Sequence, residues 1–283
     1  NGYNTAVGFD AGLSVSTGVE NTLLGGKAGD ALTTGSYNVA IGMDALDAED
    51  TGSRNIAIGY NSLKALNYDG NGYNVAVGFE AGKSVSTGVQ NVLIGGLAGD
   101  AIIGADNNVA LGYNSLSATT VGADNIAIGK DALETNVLGS ASIAIGSLAL
   151  EDQVPSGTGN VYNVAIGHWA GKQITTGNEN TIIGGLAGDA LTTGSANVAV
   201  GYLALSAEDA HGTNTAIGFK TLRVQDAGAN AYNVAVGYQT GENVTTATDN
   251  VLVGAFAGDA LTTGPYNVAI GRSALSLEDA YGY

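Results

Sequence analysis

Histidines and paired carboxylates are the residues of this chain whose chemistry could support catalysis or metal binding. The 283 residues include two histidines, His168 and His211, and no cysteine. Thiolate chemistry and disulfides are therefore absent, and a zinc site would need histidine and carboxylate ligands. The two histidines lie in different sequence repeats, and no carboxylate spacing matches theirs. We therefore expect neither a metal site nor a catalytic triad.

Four pairs of adjacent acids are a second candidate for chemistry. They are Glu49 and Asp50, Glu151 and Asp152, Glu208 and Asp209, and Glu278 and Asp279. A glycosidase needs two carboxyl groups facing one cleft, about 5 to 9.5 Å apart, and neighbouring acids in a polar segment rarely achieve this. We interpret the pairs as solvating charge. Because no G-x-S-x-G or phosphate-loop motif occurs either, the sequence predicts a protein that is not an enzyme.

Calcium is the one cofactor for which the acidic residues provide candidate ligands. Four aspartates occupy the same position in related repeats, namely Asp30, Asp100, Asp189 and Asp259. Hard cations bind such carboxylates together with backbone carbonyls. The four are about four repeats apart, so they cannot share an ion within one chain. We expect no cofactor, with calcium as the alternative.

The composition excludes several classes of binding partner. Nine basic and 26 acidic residues give a formal charge of −17, which is unsuited to nucleic acids or anionic membranes. No run approaches 18 apolar residues, so we expect no membrane insertion. Glycine is abundant, with 45 residues, but 45% of the chain is hydrophobic, so it can build a large core.

A repeat covers the whole chain and sets the positions of all these residues. Aligned on N-[VTI]-A-[VIL]-G, thirteen units have 17 residues, two have 19 and one has 21. We number positions from the first residue of each unit. The 16 units begin at residues 4, 21, 38, 55, 74, 91, 108, 125, 142, 163, 180, 197, 214, 233, 250 and 267. They cycle through four types, A to D, which gives super-repeats at 4–73, 74–162, 163–232 and 233–283.

The pattern within a unit predicts one coil of a β-solenoid. Position 2 is β-branched and position 4 is Val, Ile or Leu in every unit, position 3 is mostly Ala, and position 5 is always Gly. Such a strand, with a glycine bend and a polar return, stacks on its neighbours to bury one continuous core. The sequence predicts one all-β domain, residues 1–283: a parallel β-solenoid (β-roll) of 16 coils of about 17 residues. At about 4.8 Å per coil, it would form a rod of roughly 75 to 80 Å.

Three positions carry more specific expectations. Position 1 is Asn in all units but one, where Ser142 stands, and it either forms a stacked amide ladder or starts a turn. The glycine at position 5 requires a positive φ or a close approach between neighbouring chains. Where position 3 grows to Leu or Ile, position 6 shrinks to Gly or Ala, which we interpret as volume compensation.

Both faces of the strand are apolar, and this predicts an oligomer. A long exposed apolar stripe exceeds what a monomer tolerates, and the small residues at positions 3, 5 and 8 favour packing about a central axis. We expect a homotrimeric rod. The residues assigned to its core and trimer ladder are Ala40, Ala127, Ala144, Ile41, Ile128, Ile145, Gly42, Gly129 and Gly146.

Three elongated returns are the best binding candidates, because loops on a rigid scaffold commonly carry recognition residues. They span residues 64–73, 151–162 and 223–232. Tyr68, Asp69, Tyr73, Tyr162 and Tyr232 could contact glycans there. The alternative, which we prefer, is that the extra residues are tolerated bulges and that the boundary tyrosines cap the core.

The motif N-x-A-[IV]-G-x-x-A, at residues 38–45, 125–132 and 267–274, resembles the head repeats of YadA-type trimeric autotransporter adhesins. The longer string at residues 74–99 resembles the repeats of phage tail-fibre proteins. The first resemblance implies a trimeric left-handed parallel β-roll. The chain departs from the adhesins in its longer period and in lacking a neck, stalk and anchor, and from many tail fibres in lacking a terminal chaperone domain.

These resemblances imply a structural and adhesive role. We expect a tail-fibre shaft or receptor-binding segment in a virion, cut from a longer fibre, that contacts a host-surface polysaccharide and other fibre or baseplate proteins. A bacterial surface adhesin head or an extracellular filament subunit is the alternative. A polysaccharide-degrading tailspike is a third alternative, which would need a carboxylate cluster at a chain interface.

Overall fold

The chain is a parallel β-solenoid of about 16 turns, spaced about 17 residues apart, as predicted. The structure is a computed structural model that describes residues 2–277, so the pair Glu278 and Asp279 lies outside the described residues. No helix occurs among residues 2–277, and hence none that could cross a membrane. The chain divides into two compact units, each described by itself: Asn1–Ala141 with Gly157–Gly159, and Ser142–Ser156 with Asn160–Tyr283.

The first unit contains eight three-residue strands. Each pairs in parallel with the next, with equivalent positions side by side, so that Ala40 lies opposite Ala57. The strands are β1 (Thr5–Val7), β2 (Thr22–Leu24), β3 (Val39–Ile41), β4 (Ile56–Ile58), β5 (Val75–Val77), β6 (Val92–Ile94), β7 (Val109–Leu111) and β8 (Ile126–Ile128).

The second unit repeats this arrangement with eight further strands. Again each strand is parallel to the next and in register, so that Ala199 lies opposite Ala216. The strands are β9 (Ile143–Ile145), β10 (Val164–Ile166), β11 (Thr181–Ile183), β12 (Val198–Val200), β13 (Thr215–Ile217), β14 (Val234–Val236), β15 (Val251–Val253) and β16 (Val268–Ile270).

The alanines at position 3 point into the interior of each turn. Ala40, Ala127 and Ala144 are completely buried within their own chain. The neighbouring Ile41, Ile128 and Ile145 are half-exposed, because successive side chains of a strand point to opposite faces. Position 3 is therefore unavailable to a partner. This corrects the expectation that its small side chains pack about an axis between chains, and leaves positions 2 and 4 as the outward face.

Glycine at position 5 is required for two reasons, the backbone conformation and the close approach of the next turn. Gly42, Gly129 and Gly146 have φ angles of 134°, 134° and 135°, which L side chains rarely adopt. A Cβ atom on Gly42 would lie 2.5 Å from the carbonyl oxygen of Gly59 in the next turn. The predicted positive φ is confirmed. The close approach joins successive turns of one chain, which corrects the expectation that it joins neighbouring chains.

Asparagine at position 1 forms a buried column in each unit. In the first, Oδ1 of Asn38 accepts a hydrogen bond from the backbone N–H of Asn55 at 2.9 Å. Nδ2 of Asn38 donates to the carbonyl of Gly52 at 2.8 Å. In the second, Asn180 accepts in the same way from the N–H of Asn197 at 2.9 Å. The predicted ladder is confirmed, although its rungs are mainly amide-to-backbone bonds.

Gln153 compensates for the one missing asparagine. Its Nε2 donates to Oγ of Ser142 at 3.1 Å, and its Oε1 accepts from Nδ2 of Asn163 at 3.0 Å. Gln153, at position 12 of the same turn, thus provides the buried amide group that Ser142 lacks. The buried polar groups therefore keep their hydrogen-bond partners.

Leucine side chains fill the interior in two alternative ways. In the B-type turn, Leu23 at position 3 fills it and position 9 is glycine, where a Cβ on Gly29 would lie 2.9 Å from Leu23 Cδ2. In the C-type turn, position 3 is alanine and the fully buried Leu46 at position 9 fills the same role. Volume is exchanged between positions 3 and 9. The predicted exchange with position 6 is wrong because position 6 points outward, as the 55% exposure of Met43 shows.

Candidate functional site

The outward sheet face of each unit carries extensive exposed apolar surface. Positions 2 and 4 hold aliphatic residues or threonine that remain partly exposed, in contrast to the buried residue between them. Position 6, just after the strand, is often aromatic and exposed, as at Tyr60, Phe79 and Tyr113 in the first unit. Monomers rarely expose contiguous apolar patches of more than a few hundred Å². This face is therefore a candidate surface for partners.

Stacked aromatic rings line part of this face. In the second unit, Phe219 stacks on Tyr202 with ring centroids 5.8 Å apart and on Tyr238 at 5.1 Å. Tyr238 also meets Phe256 edge to face at 5.4 Å. Because these rings come from successive turns, the stack grows along the direction in which the turns repeat. Such pairs stabilise one another and present their remaining area to solvent.

The boundary tyrosines, each directly before the first residue of a unit, are exposed. Tyr3, Tyr37, Tyr73, Tyr162, Tyr232 and Tyr266 all belong to this row. The interpretation that they cap the core is wrong, because this boundary position has a left-handed backbone that directs its side chain away from the interior. Arg54 lies between two of these rings, 5.0 Å from Tyr37 and 6.0 Å from Tyr73, so cation–π contacts order this stretch.

The five residues proposed for glycan binding lie in three separate returns. Tyr68, Asp69 and Tyr73 share the return at 64–73, where Asp69 accepts a hydrogen bond from Oγ1 of Thr51 at 2.8 Å. The hydroxyl of Tyr162 accepts one from Nδ2 of Asn160 at 2.6 Å. Tyr232 is exposed in the return at 223–232. Each return presents its tyrosine or tyrosines to solvent.

A shallow groove of about 550 Å³ runs beside the first long return. Both of its lysines are paired, Lys64 with Asp44 at 3.1 Å and Lys83 with Glu80 at 3.2 Å. The groove is lined by Asp47, Ala48, Lys64, Ala65, Lys83, Ser84, Ser86 and Ile103. Because these cations are neutralised by their neighbours, the groove offers mainly apolar and hydroxyl contacts.

Two glutamates at position 12 are buried, contrary to the expectation that the acidic pairs solvate the surface. This corner is aliphatic in most turns, as at the fully buried Leu32 and Leu191. Glu49 and Glu208 occupy the same corner and are 0% exposed. Burial raises the pKa of Glu49 above its ordinary value. Burial, with the nearby charge of Asp226, raises that of Glu208 to about 7.

The backbone N–H at position 15 has different partners in different turns. In A-type turns it donates to the carbonyl at position 13 of the next turn, as Gly177 does to Thr192 at 3.3 Å. Before the elongated returns at 64–73 and 223–232, the position 12 side chain accepts it instead, Glu49 from Gly52 at 2.6 Å and Glu208 from His211 at 3.2 Å.

The Glu208 corner gathers three further side chains that could bind a metal. Asp209 and His211 belong to the same turn, and Asp226 comes from the elongated return of the next turn. One candidate ligand atom from each of the four lies within 4.8 Å of the others. Within residues 2–277 this is the one group of its kind. It corrects the expectation that His211 has no matching carboxylates.

A sequence signal for this group was available. Position 12 is a core column in the repeat, so a glutamate there indicates burial. The approach of Asp226 to His211 depends on the path of the elongated return, which the repeat does not specify. His168, by contrast, is exposed beside Trp169, with ring centroids 5.3 Å apart.

The aspartates proposed for calcium stay apart. Asp100, Asp189 and Asp259 lie in separate turns, each with a buried Oδ1 that has no hydrogen-bond partner. Asp30 instead lies against Asp47 of the next turn. Burial and this carboxyl neighbour raise the pKa of Asp47 to about 6. Calcium binding stays a prediction.

No protein-family model matches this chain, and no curated protein matches its sequence. The function must therefore be argued from the surfaces and side-chain groups described above.

Proposed function

We propose that the chain is a structural and adhesive module of an extracellular fibre, in which three copies pack along their outward sheet faces. The observation that supports this is the outward face itself. Positions 2 and 4 present Val, Ile, Leu or Thr in every turn, and these side chains stay partly exposed in both units. Burying the remaining surface of each such side chain against a partner is worth about 1 kcal/mol.

The number of copies and the setting follow from the resemblance of the repeats to trimeric adhesin heads and phage tail fibres. We favour a tail-fibre segment, joined to other fibre or baseplate proteins, over the head of a bacterial surface adhesin. The net charge of −17 would keep such a fibre soluble and discourage side-by-side association. In this proposal the module binds polysaccharide and does not cleave it.

A matched pair of substitutions tests the oligomeric part. Ile128 is half-exposed on the outward face, and Ala127 beside it is fully buried inward. We expect Ile128→Asp to give a folded monomer, with the β-type circular dichroism of the parent. We expect Ala127→Asp to unfold the turn, because it buries an unpaired charge. An Ile128→Asp protein that keeps the parent's mass would contradict packing along this face.

The adhesive part is supported by tyrosines that are exposed but held in place. Arg54 flanks Tyr73, and Asn160 fixes the hydroxyl of Tyr162. Ordered aromatic rings bind sugar faces at little entropic cost. We expect the protein to bind purified surface polysaccharide of its host cell, and the triple variant Tyr73→Ala, Tyr162→Ala, Tyr232→Ala to bind at least tenfold more weakly.

A control and an enzymatic assay complete this test. Replacing Tyr202 and Tyr238 by Ala alters the stacked rings at position 6 and leaves the returns intact, so it should preserve polysaccharide binding. Equal polysaccharide binding by the parent and the triple variant would contradict a role for the tyrosines of the elongated returns. Release of oligosaccharides from the polysaccharide would overturn the non-enzymatic proposal and favour a tailspike.

A further inference from the structure

We infer that Glu208, Asp209, His211 and Asp226 form a site for a divalent transition-metal ion of the Zn²⁺ class, which links two successive turns of the second unit. The four side chains come from one turn and from the elongated return that follows it. The inference is independent of the proposed function.

The principal evidence is a buried carboxylate with an unused oxygen. The Glu208 side chain is completely buried, and its Oε1 accepts the N–H of His211, but its Oε2 has no hydrogen-bond partner. Nδ1 of His211 is also buried without a hydrogen-bond partner, 3.3 Å from Oε1 of Glu208. Buried polar atoms nearly always have partners, so two such atoms side by side point to a missing one.

The local charge points to a cation as that missing partner. Three carboxylates meet within a few ångströms. Among the described residues, no lysine or arginine forms an ion pair with any of them. Lys220 and Arg223, which belong to the same turn as Asp226, pair with Glu242 instead. The one ion-pair partner of the three carboxylates among the described residues is His211, which is charged only when protonated. A buried carboxylate without a permanent counter-charge is costly, and a divalent ion removes that cost.

The ligand set selects the class of ion. One imidazole nitrogen and three carboxylate oxygens suit Zn²⁺, which takes four such ligands at about 2.0 to 2.2 Å in tetrahedral geometry. Ca²⁺ and Mg²⁺ prefer sites built entirely from oxygen. Four protein ligands leave no open position, so the ion would be structural. It would fasten the return that carries Tyr232, alongside the hydrogen bond from Gly212 N–H to Asn230 at 3.0 Å.

The same chain contains a natural reference for this site. The equivalents of the four ligands in the first super-repeat are Glu49, Asp50, Gly52 and Asn67. Two of the four positions therefore lack a metal-binding side chain. There, Oε1 of Glu49 accepts the N–H of Gly52 and Oε2 accepts that of Tyr68, at 2.6 and 3.2 Å. A corner without the metal ligands has both oxygens satisfied by the backbone.

Calorimetric titration of the untagged, chelator-treated full chain with ZnCl₂ tests the site, with CaCl₂ and MgCl₂ as comparison ions. We expect one Zn²⁺ per chain, and a melting temperature that rises by roughly 5 °C at a Zn²⁺ concentration about 100 times the Kd. The double variant His211→Gly, Asp226→Asn, which carries the residues of the first super-repeat, should lose both effects.

Two further variants make the outcome decisive. Asp226→Asn alone changes an exposed side chain and should weaken Zn²⁺ binding at least tenfold without unfolding the chain, as circular dichroism would show. His168→Ala removes the other histidine and should leave binding unchanged. No Zn²⁺ binding, binding that survives in the double variant, or tighter binding of Ca²⁺ than of Zn²⁺ would overturn the inference.

Discussion

Glu49 in the first unit and Glu208 in the second occupy the same corner of equivalent turns, yet their surroundings differ. Both are fully buried and both precede an elongated return. The Glu49 carboxylate has one backbone donor on each oxygen. The Glu208 carboxylate has one donor on Oε1 and none on Oε2, and it lies beside three other titratable side chains.

The residue three positions later explains much of the difference. At Gly52, a Cβ atom would lie 2.5 Å from Cδ of Glu49 and 2.5 Å from the carbonyl oxygen of Tyr68. Only glycine therefore lets Glu49 approach the N–H at 2.6 Å. His211 takes this place in the second unit, and the corresponding distance grows to 3.2 Å. With glycine at position 15, the buried glutamate is fully hydrogen-bonded to the backbone. With histidine at position 15, the glutamate keeps a free oxygen beside other candidate metal ligands.

The largest effect should separate the two glutamates. In chelator-treated protein, Glu49→Ala leaves the buried N–H of Gly52 and the part-buried N–H of Tyr68 without acceptors, so we expect a loss of about 3 kcal/mol in the free energy of unfolding. Glu208→Ala loses one longer hydrogen bond and removes an unsatisfied oxygen, so we expect about 1 kcal/mol. Urea denaturation measures both. Equal losses would mean that the two corners are energetically alike.

A smaller effect should separate the residues at position 15. Gly52→Ala places a methyl group against Glu49 and the backbone of Tyr68, and overpacking of this kind costs about 2 kcal/mol. His211→Gly removes an imidazole whose Nδ1 lies 3.3 Å from Oε1 of Glu208 but keeps the backbone N–H that Glu208 accepts, so metal-free protein should change by about 1 kcal/mol, less than Gly52→Ala. Thermal melting in chelator distinguishes the two. A tolerated Gly52→Ala would contradict the steric explanation.

The smallest effect concerns Asp47, which lies two residues before Glu49. It tests whether Asp47 contributes its own pH dependence to the stability of the first unit. Its pKa is about 6 in the folded chain, against an ordinary value of 3.8, because of burial and its carboxyl neighbour Asp30. The protonated form is thus favoured by folding. Its stabilising contribution is complete below about pH 4 and is lost as the pH rises through 6.

Asp47→Asn should remove this pH dependence. The parent's melting temperature should fall between pH 4 and pH 7 by more than that of the variant. Asp69→Asn, in the exposed part of the next return, serves as the control and should follow the parent. Parallel melting curves for the parent and Asp47→Asn across this range would show that the pair contributes nothing.

Much of the fold could be predicted because each turn repeats the same constraints. The residue types of Asn38, Ala40 and Gly42 recur at equivalent positions of other turns. Because the turns stack in register, each of these residues lies next to its equivalents in the two neighbouring turns. The register, the strand positions and the glycine conformation follow from that periodicity. The inward direction of Ala40 does not, because both faces of the strand are apolar and alternation alone cannot tell inside from outside.

The candidate sites were less predictable for a related reason. Periodicity describes regular turns, whereas Glu49, Glu208 and Asp226 matter where an elongated return interrupts it. The burial of Glu208 could have been recognised from the aliphatic residues in its column. The meeting of His211 with Asp226 depends on loop geometry. The exposure of Tyr73 depends on the left-handed backbone at the last residue of its unit, which a tyrosine does not signal.

The outward face is central to the functional proposal, and the native mass of the parent protein tests it most directly. Multi-angle light scattering of the purified chain, at physiological salt, gives that mass without reference to shape. We expect about three times the 28.0 kDa of one chain. A mass near 28 kDa, unchanged over a wide concentration range, would show that the half-exposed residues at positions 2 and 4 face water, and would contradict assembly along this face.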